Sequence, residues 1–239
     1  MKRKSDAGVD AVVKRPFRGK RRANHVAVHV ETLAVGPLQC NCSIVADLEA
    51  KRAIVIDPGG DFEALRARLE ALGVAVGAIL HTHTHIDHVG CTAELQRATG
   101  AAASIHEGDR RLYQMLPMQS ELLGLELPVL ADMDGALVDG LTLRAGVLEM
   151  TVLHTPGHTP GSCSFVVGDA ARTVVFSGDT LFRGSIGRTD LGGIDQETLV
   201  RSIRARLLSL PDDCLVVTGH GGSTTIGEER AHNPFLRKR

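Results

Sequence analysis

Long apolar runs are missing from this sequence of 239 residues. Its uninterrupted apolar stretches, such as residues 74–80, fall far short of the roughly 18 to 20 residues that a membrane-spanning helix needs. No apolar signal-peptide core follows the N-terminal charges. Repeats of solenoid period and dividing linkers are also absent. We therefore expect one globular domain with a substantial core, without a membrane partner.

Cysteine is scarce, with five residues and no disulfide-scaffold density. This usage favours a reducing, cytoplasmic location. Cys40 and Cys42 have the C-x-C spacing of some metal sites, but they stand in a run that is typical of a strand. We expect both to be small core residues and not ligands.

Positive charge is in deficit over most of the chain, although the formal net charge is only −1. The first 23 residues hold nine of the 27 basic and two of the 28 acidic side chains, which gives +7. Residues 24–239 keep 18 basic and 26 acidic side chains, which gives −8. We predict a disordered basic tail over 1–23 and a single folded domain over 24–239. The acidic body disfavours nucleic acid as a partner, but the tail leaves a nucleic-acid-processing role open.

Short β-rich runs alternate with turns and helical segments along the body. Helices are predicted from Asp61 to Gly73, over 91–99, 107–116 and 197–208, with Asp195 as an N-cap, and residues 117–134 are predicted to be irregular. A bend near Gly146 separates two predicted strands. The pattern indicates a single α/β or α+β domain in which sheets pack together with helices outside.

Four histidines lie within eight residues, directly after a predicted buried strand. In an extended segment, residues two apart point the same way, so His83 and His85 can face one ion. Asp87 and His88 follow at the turn into a helix and can reach a neighbouring position. Similar residues follow other β-rich runs, namely His158, Asp179 and His220, each beside glycine. Imidazoles with two carboxylates suit zinc or another first-row ion better than calcium or magnesium.

In this order, the His-x-His-x-Asp-His, Pro-Gly-His-Thr, Gly-Asp and Gly-His-Gly motifs resemble those of the metallo-β-lactamase superfamily. The resemblance runs from about residue 26 to 236 and implies an αββα sandwich with a binuclear metal site at one edge. It implies that His83, His85 and His158 bind the first of two divalent ions, that Asp87, His88 and His220 bind the second, and that Asp179 bridges them. Zinc is the expected metal, with iron or manganese as alternatives. His81 and His154 fall outside the motif positions.

Three further stretches, 178–182, 184–190 and 224–235, are similar to the glyoxalase II-like hydrolases. Such enzymes hydrolyse acyl thioesters, notably S-lactoylglutathione. We expect metal-bound hydroxide to attack the carbonyl carbon while Asp87 orients this nucleophile. No G-x-S-x-G elbow supports a serine hydrolase instead. The resemblance places Arg188 near the glutathione portion of the substrate.

Two departures from that branch bear on the substrate. We expect the protein to lack the additional helical C-terminal domain of full glyoxalase II enzymes, and Thr189 and Asp190 stand where an aromatic contact is expected. A small-molecule thioester therefore remains the predicted substrate, with or without a glutathione moiety. An Fe(II) persulfide dioxygenase is the alternative, because such enzymes share a segment similar to residues 187–190.

Overall fold

A computed structural model of the chain describes residues 28–168, 172–191 and 194–237. The predicted basic tail, residues 1–23, lies outside the described residues, so its prediction is not tested. Within the described part, no helix is both long and apolar enough to cross a membrane. The strands are β1 His29–Val35, β2 Cys40–Asp47, β3 Arg52–Ile56, β4 Ala75–Leu80, β5 Ala102–His106, β6 Met133–Leu137, β7 Thr142–Ala145, β8 Leu148–His154, β9 Cys163–Gly168, β10 Thr173–Gly178, β11 Leu181–Phe182, β12 Ser185–Ile186, β13 Leu215–Thr218 and β14 Thr224–Thr225. The helices are α1 Phe62–Leu72, α2 Ile86–Val89, α3 Thr92–Thr99, α4 Arg110–Gln114, α5 Leu116–Leu123, α6 Gln196–Ser202 and α7 Ile226–His232.

Two six-stranded sheets form the framework of the described residues. The first has the order β1-β2-β3-β4-β5-β6, and the second has the order β14-β13-β10-β9-β8-β7. Strands β11 and β12 form a separate two-stranded hairpin. In the first sheet β3, β4 and β5 are parallel, and in the second β10 is parallel to β13. The ends of these strands therefore deliver several loops to one edge.

Central strands supply alternate residues to two different cores, as the two-residue period of a strand requires. On β3, Ile54 and Ile56 enter the core between the sheets, where they meet Phe165 from the second sheet. Val55 points the other way and packs with Leu65 of α1 in an outer core. On the second sheet, Val175 and Val216 pack outward against residues of α6 and α7. The layers are helix, sheet, sheet and helix, which confirms the predicted αββα sandwich.

Several sequence predictions agree with this fold. Helix α1 ends at Gly73, which has a left-handed backbone (φ 65°) and donates its N–H to the last turn. The Asp195 side chain accepts the Thr198 N–H at 2.6 Å and caps α6. The bend at Gly146 separates β7 from β8. Cys40 and Cys42 are fully buried and unpaired, in agreement with their prediction as core residues.

Other predictions are wrong. The prediction that residues 117–134 are irregular is wrong at both ends and right only over 125–132, because α5 begins beside Pro117 and ends at the left-handed Gly124, and β6 begins at Met133. The predicted helix over 107–116 is divided, since a 3-10 turn over Glu107–Asp109 precedes α4. The 197–208 segment changes from α to π geometry at Ile203. These short elements depend on tertiary contacts that local periodicity does not encode.

Candidate metal centre

The predicted ligands meet at the edge where β4, β10 and β13 end. His83 and His85 follow β4, and α2 then carries Asp87 and His88. Asp179 follows β10 directly, and His220 lies two residues after β13. Strand β8 is antiparallel to β9, which is antiparallel to β10, so β8 also ends at this edge and leads to His158. The sheet topology thus brings together residues that are far apart in sequence.

Three imidazoles converge on one point. The distances are 3.0 Å from His83 Nε2 to His85 Nδ1, 3.1 Å from His83 Nε2 to His158 Nε2, and 3.0 Å from His85 Nδ1 to His158 Nε2. Their nitrogens could hold a single ion, since imidazole nitrogens bind zinc at roughly 2.0 to 2.1 Å. Three nitrogens in one small triangle cannot all be satisfied by hydrogen bonds to one another, because each bond requires a donor and a lone pair.

A second group lies beside the first and consists of Asp87, His88 and His220. His220 Nε2 lies 3.1 Å from Asp87 Oδ2, and His88 Nε2 lies 3.7 Å from the same oxygen. Asp179 stands between the two groups, with Oδ1 at 3.5 Å from His88 Nε2 and Oδ2 at 3.7 Å from His158 Nε2. A carboxylate in this place can reach both candidate positions.

The hydrogen bonding of two atoms in this centre shows whether a cation would fit there. His88 Nε2 and Asp179 Oδ1 are buried and have no hydrogen-bond partner. Leaving such a buried polar atom unsatisfied costs about 1 to 3 kcal/mol. A cation would satisfy both atoms, and the set of imidazole and carboxylate donors suits a first-row divalent ion. The residues therefore fit the metal pair that the motifs imply.

Burial keeps most of these imidazoles in the neutral form that binds metal. It lowers the pKa of His83, and neighbouring His88 and His158 lower it further. Burial, with neighbouring His85 as a smaller cause, lowers the pKa of His158 to about 3. A neutral imidazole has a free lone pair, so these residues are ready to bind a cation without first losing a proton.

The second group carries more negative charge. Burial raises the pKa of Asp87, but His88 and His220 outweigh it, so the pKa lies below its ordinary value and the group is a carboxylate. Burial lowers the pKa of His88, but Cys40 and the carboxylates of Asp87 and Asp57 more than offset this effect. Burial raises the pKa of Asp179. This crowding of carboxylates is electrostatically costly unless positive charge lies among them.

Backbone carbonyl groups orient three of the histidines. The nitrogen facing away from the centre lies 2.7 Å from Arg188 O in His158, 3.2 Å from Leu191 O in His85, and 3.1 Å from Leu38 O in His220. A carbonyl oxygen can only accept, so each of these nitrogens carries the proton. The other nitrogen of each ring therefore presents a lone pair to the centre, as metal-binding histidines require.

Asp57 orients the remaining two histidines, and sequence reasoning did not identify it. Its carboxylate accepts from His88 Nδ1 at 3.0 Å and from Thr82 Oγ1 at 2.6 Å. Thr82 Oγ1 in turn lies 3.1 Å from His83 Nδ1 and accepts its proton. The only available signal was the position of Asp57 at the end of β3, where the sequence indicates a turn.

Asp109 and Gln119 are not candidate ligands, but they fix the loops that carry the candidate ligands. Sequence reasoning did not identify them either. The buried Asp109 carboxylate accepts from Thr84 N at 3.1 Å and from Gly161 N at 2.6 Å. Gln119 Oε1 accepts from Ile86 N at 3.0 Å. Asp109 thus joins the loop of His83 and His85 to the loop of His158, and Gln119 fastens the start of α2.

His81 and His154, two other histidines of the described residues, lie outside the cluster. His81 Nε2 is 2.9 Å from Thr92 Oγ1, and its Nδ1 is 3.2 Å from Ser104 O. His154 Nε2 is 3.0 Å from Pro160 O, and its ring stacks on His106 at 4.0 Å. Both are excluded from the groups of residues that could hold an ion, as their positions outside the motifs predict.

Arg188 lies next to the centre with its carbonyl inward and its side chain outward. The guanidinium donates twice to Asp190, at 2.7 and 2.8 Å, and the pair is exposed. The structure therefore places the predicted substrate contact at the rim, with its charge already balanced by a carboxylate.

Close backbone packing is required at Gly219, between the strand end and His220. A Cβ atom at this position would lie 2.0 Å from Asp179 Oδ1 and 3.1 Å from His88 Cε1. Neither neighbour is a flexible side-chain end, since both belong to the convergent cluster. Only glycine leaves room there for the two candidate ligands.

Comparisons with a family profile and with known proteins agree on one superfamily. The profile described as "Metallo-beta-lactamase superfamily" matches residues 35–220. The hydroxyacylglutathione hydrolase GloC of Haemophilus influenzae is 40% identical over 219 residues, which cover 89% of this chain and 100% of GloC.

Solved structures show the same similarity. The BLEG-1 B3 metallo-β-lactamase has a TM-score of 0.81 and 38% identity, covering 88% of this chain and 100% of its own. TTHA1623 in a di-iron-bound form has a TM-score of 0.73 and 40% identity, covering 86% and 100%. ETHE1 from Myxococcus xanthus has a TM-score of 0.70 and 26% identity, covering 86% and 83%.

Proposed function

Because the chain belongs to the metallo-β-lactamase superfamily, we propose that it is a binuclear metallohydrolase that cleaves acyl thioesters to a thiol and a carboxylic acid. S-lactoylglutathione, or a related thioester, is the proposed substrate. The observation that carries this choice is the full-length similarity to a hydroxyacylglutathione hydrolase, GloC, at 40% identity. The boundary between the basic tail, residues 1–23, and a hydrolase domain over 24–239 also remains a prediction.

The convergent donors support the proposed metal assignment. We assign His83, His85 and His158 to the first ion, Asp87, His88 and His220 to the second, and Asp179 to both. When bound, two divalent ions would supply Lewis acidity and lower the pKa of a water molecule. Zinc is the proposed metal, and the likeness to a di-iron protein keeps iron as an alternative.

The residues themselves define the direction from which substrate approaches. His83 and His88 are buried beneath the centre, whereas the His220 side chain is 29% exposed. The Asp87 and Asp179 side chains are partly exposed, so one side of the centre is open. We propose that the thioester carbonyl enters from this side and that the Asp87 carboxylate orients the attacking water by accepting its hydrogen bond.

Arg188 remains the predicted contact for the thiol portion of the substrate. Its guanidinium is paired with Asp190 on the exposed rim. An anionic substrate would have to compete with that carboxylate, and because an exposed ion pair is weak in water, the exchange is feasible.

The test is a hydrolysis assay with the purified, metal-loaded protein. With the wild type, we expect hydrolysis of S-lactoylglutathione to lower the thioester absorbance. With Asp179→Ala, we expect no hydrolysis and a constant absorbance. Asp134→Ala, which removes a carboxylate from the distant strand β6, serves as the matched control and should retain activity. Absence of cleavage with any acyl thioester would refute the proposal. Parallel assays with a β-lactam address the likeness to BLEG-1.

An Fe(II) persulfide dioxygenase is the second candidate, and the likeness to ETHE1 fits it. Metal analysis and an oxygen electrode separate the two activities. Oxygen uptake with glutathione persulfide, together with about one iron per chain, would favour the dioxygenase over the hydrolase.

A further inference from the structure

An arginine that the sequence motifs did not single out stands at the tip of the β11–β12 hairpin. Arg183 follows Phe182, and its side chain is exposed. Among the described residues its guanidinium has no hydrogen-bond or ion-pair partner. Arg188, at the base of the same hairpin, is instead held by Asp190. The hairpin thus carries one neutralised and one free cation.

The guanidinium of Arg183 borders an opening beside a candidate metal ligand. Two glycines, Gly221 and Gly222, follow His220 directly. A Cβ atom at Gly221 would meet nothing within 4 Å, and one at Gly222 would meet only Arg183 Nη1, at 3.9 Å. The space that a side chain would occupy at Gly221 or Gly222 is therefore open, and a cation forms the edge of this space at Gly222.

A buried carboxylate fixes this arrangement. Glu229 Oε2 accepts from Gly184 N at 2.9 Å, next to Arg183. Glu229 Oε1 accepts from Thr224 Oγ1 at 2.7 Å, at the end of the loop that begins at His220. Asn233 Nδ2 donates to Glu229 Oε2 at 2.7 Å and to Ser185 O at 2.9 Å. The hairpin tip and the glycine loop are thus tied to one anchor.

We propose that Arg183 and the open backbone at Gly222 form a subsite for a carboxylate on the thiol portion of the substrate. This inference rests on the proposed thioester hydrolysis and specifies which thioesters are preferred. A guanidinium can bind a carboxylate through two parallel hydrogen bonds. The acidic body of the protein repels anions, so a free cation next to the centre supplies the local attraction that binding requires.

Two thioesters with the same acyl group test the subsite. S-lactoylglutathione carries carboxylates on its thiol portion, whereas S-lactoyl-N-acetylcysteamine is neutral. For Arg183→Gln we expect KM for the glutathione thioester to rise about tenfold, the size of one charge-assisted hydrogen bond, with kcat nearly unchanged. KM for the neutral thioester should stay within about twofold, and Arg183→Lys should restore part of the loss.

Two further variants separate the effect of the subsite from a general effect of net charge. Gly222→Leu fills the opening without removing charge and should raise KM for S-lactoylglutathione. Arg97→Gln, an exposed arginine on α3, makes the same change in net charge and should leave both substrates unaffected.

The outcomes are distinct. Equal effects of Arg183→Gln on both thioesters, or no effect on either, would overturn the subsite, as would a loss confined to Arg188→Gln. If the wild type cleaves neither thioester, the proposed function itself fails.

Discussion

The Asp57 carboxylate accepts a hydrogen bond from His88 Nδ1 at 3.0 Å, and both side chains are buried. Asp57 has a left-handed backbone (φ 51°), which a non-glycine residue adopts at a cost of order 1 kcal/mol. Through Thr82 the same carboxylate reaches His83, so one residue orients a candidate ligand in each metal position. The orientation of the His83 and His88 rings explains why a strained and buried residue occurs at Asp57.

Replacement of Asp57 should weaken metal binding without removing a ligand. In Asp57→Asn we expect metal affinity to fall about 10- to 100-fold, because the amide is a poorer acceptor for the His88 and Thr82 protons. Competition with a chelator measures the affinity. Asp47→Asn is the matched control, since Asp47 is equally buried but bonds only the backbone of Ala50 and Val147. Unchanged affinity in Asp57→Asn would contradict the assigned role.

Removal of metal should destabilise the fold. The unpartnered His88 Nε2 and Asp179 Oδ1 and the crowded carboxylates favour the metal-bound state. An ion at 100 times its Kd adds about 2.7 kcal/mol to the free energy of unfolding. Thermal denaturation with a chelator, and again after addition of Zn²⁺, measures the effect as a lowered and then restored Tm. A Tm that is unchanged by the chelator and by added Zn²⁺ would contradict a stabilising role for the ions.

Two neighbouring histidines should differ sharply. His158→Ala removes a nitrogen from the three-imidazole group, so we expect lost metal and a hydrolysis rate reduced at least about 100-fold. His154→Ala removes a ring that contacts Pro160 and His106 instead. It should keep its metal content and most of its activity. Metal analysis and kinetics on both variants check the prediction, and equal losses would argue against the assignment of His158.

Acid should destabilise the metal-free protein through His158. Burial lowers the pKa of His158 to about 3, so the folded state keeps it neutral while the unfolded chain protonates it below an ordinary pKa near 6.5. The unfolded state then binds more protons, and stability falls as pH falls. Relative to His158→Asn, the wild type should lose about 1.4 kcal/mol per pH unit below 6.5.

Urea denaturation of both proteins in chelator, at pH 7 and pH 5, measures this difference. A stability difference that stays constant between the two pH values would show that His158 is not held neutral in the folded state.

The candidate ligands could be proposed from the sequence, in part because the spacing of some of them carries geometry and in part because the motifs resemble those of the superfamily. His83 and His85 alternate in an extended segment, and Asp87 and His88 follow at a turn. The alternation of Ile54, Val55 and Ile56 between two cores is likewise a local property of a strand. Residues of these types at strand ends predicted one metal centre before any contact was known.

Elements without a strong local pattern were less predictable. Helix α5 is short, and several of its apolar residues are exposed, so periodicity did not indicate its role. Its Gln119 side chain becomes important only because it reaches Ile86 on another helix. Asp109 likewise acts through Thr84, which is 25 residues away, and Glu229 through Gly184, which is 45 residues away.

By itself, the sequence indicated the family and the layered fold through motifs that resemble those of the superfamily, and it marked candidate metal ligands, because residue type and spacing are local properties of the chain. The tertiary structure alone decided how strand ends converge, which groups orient each imidazole, and which arginine is free. Those properties depend on distances between segments far apart in sequence, such as Asp57 and His88 or Arg183 and Gly222. The charge of Arg188 could be counted in the sequence, but its balance by Asp190 could be seen only in the folded rim.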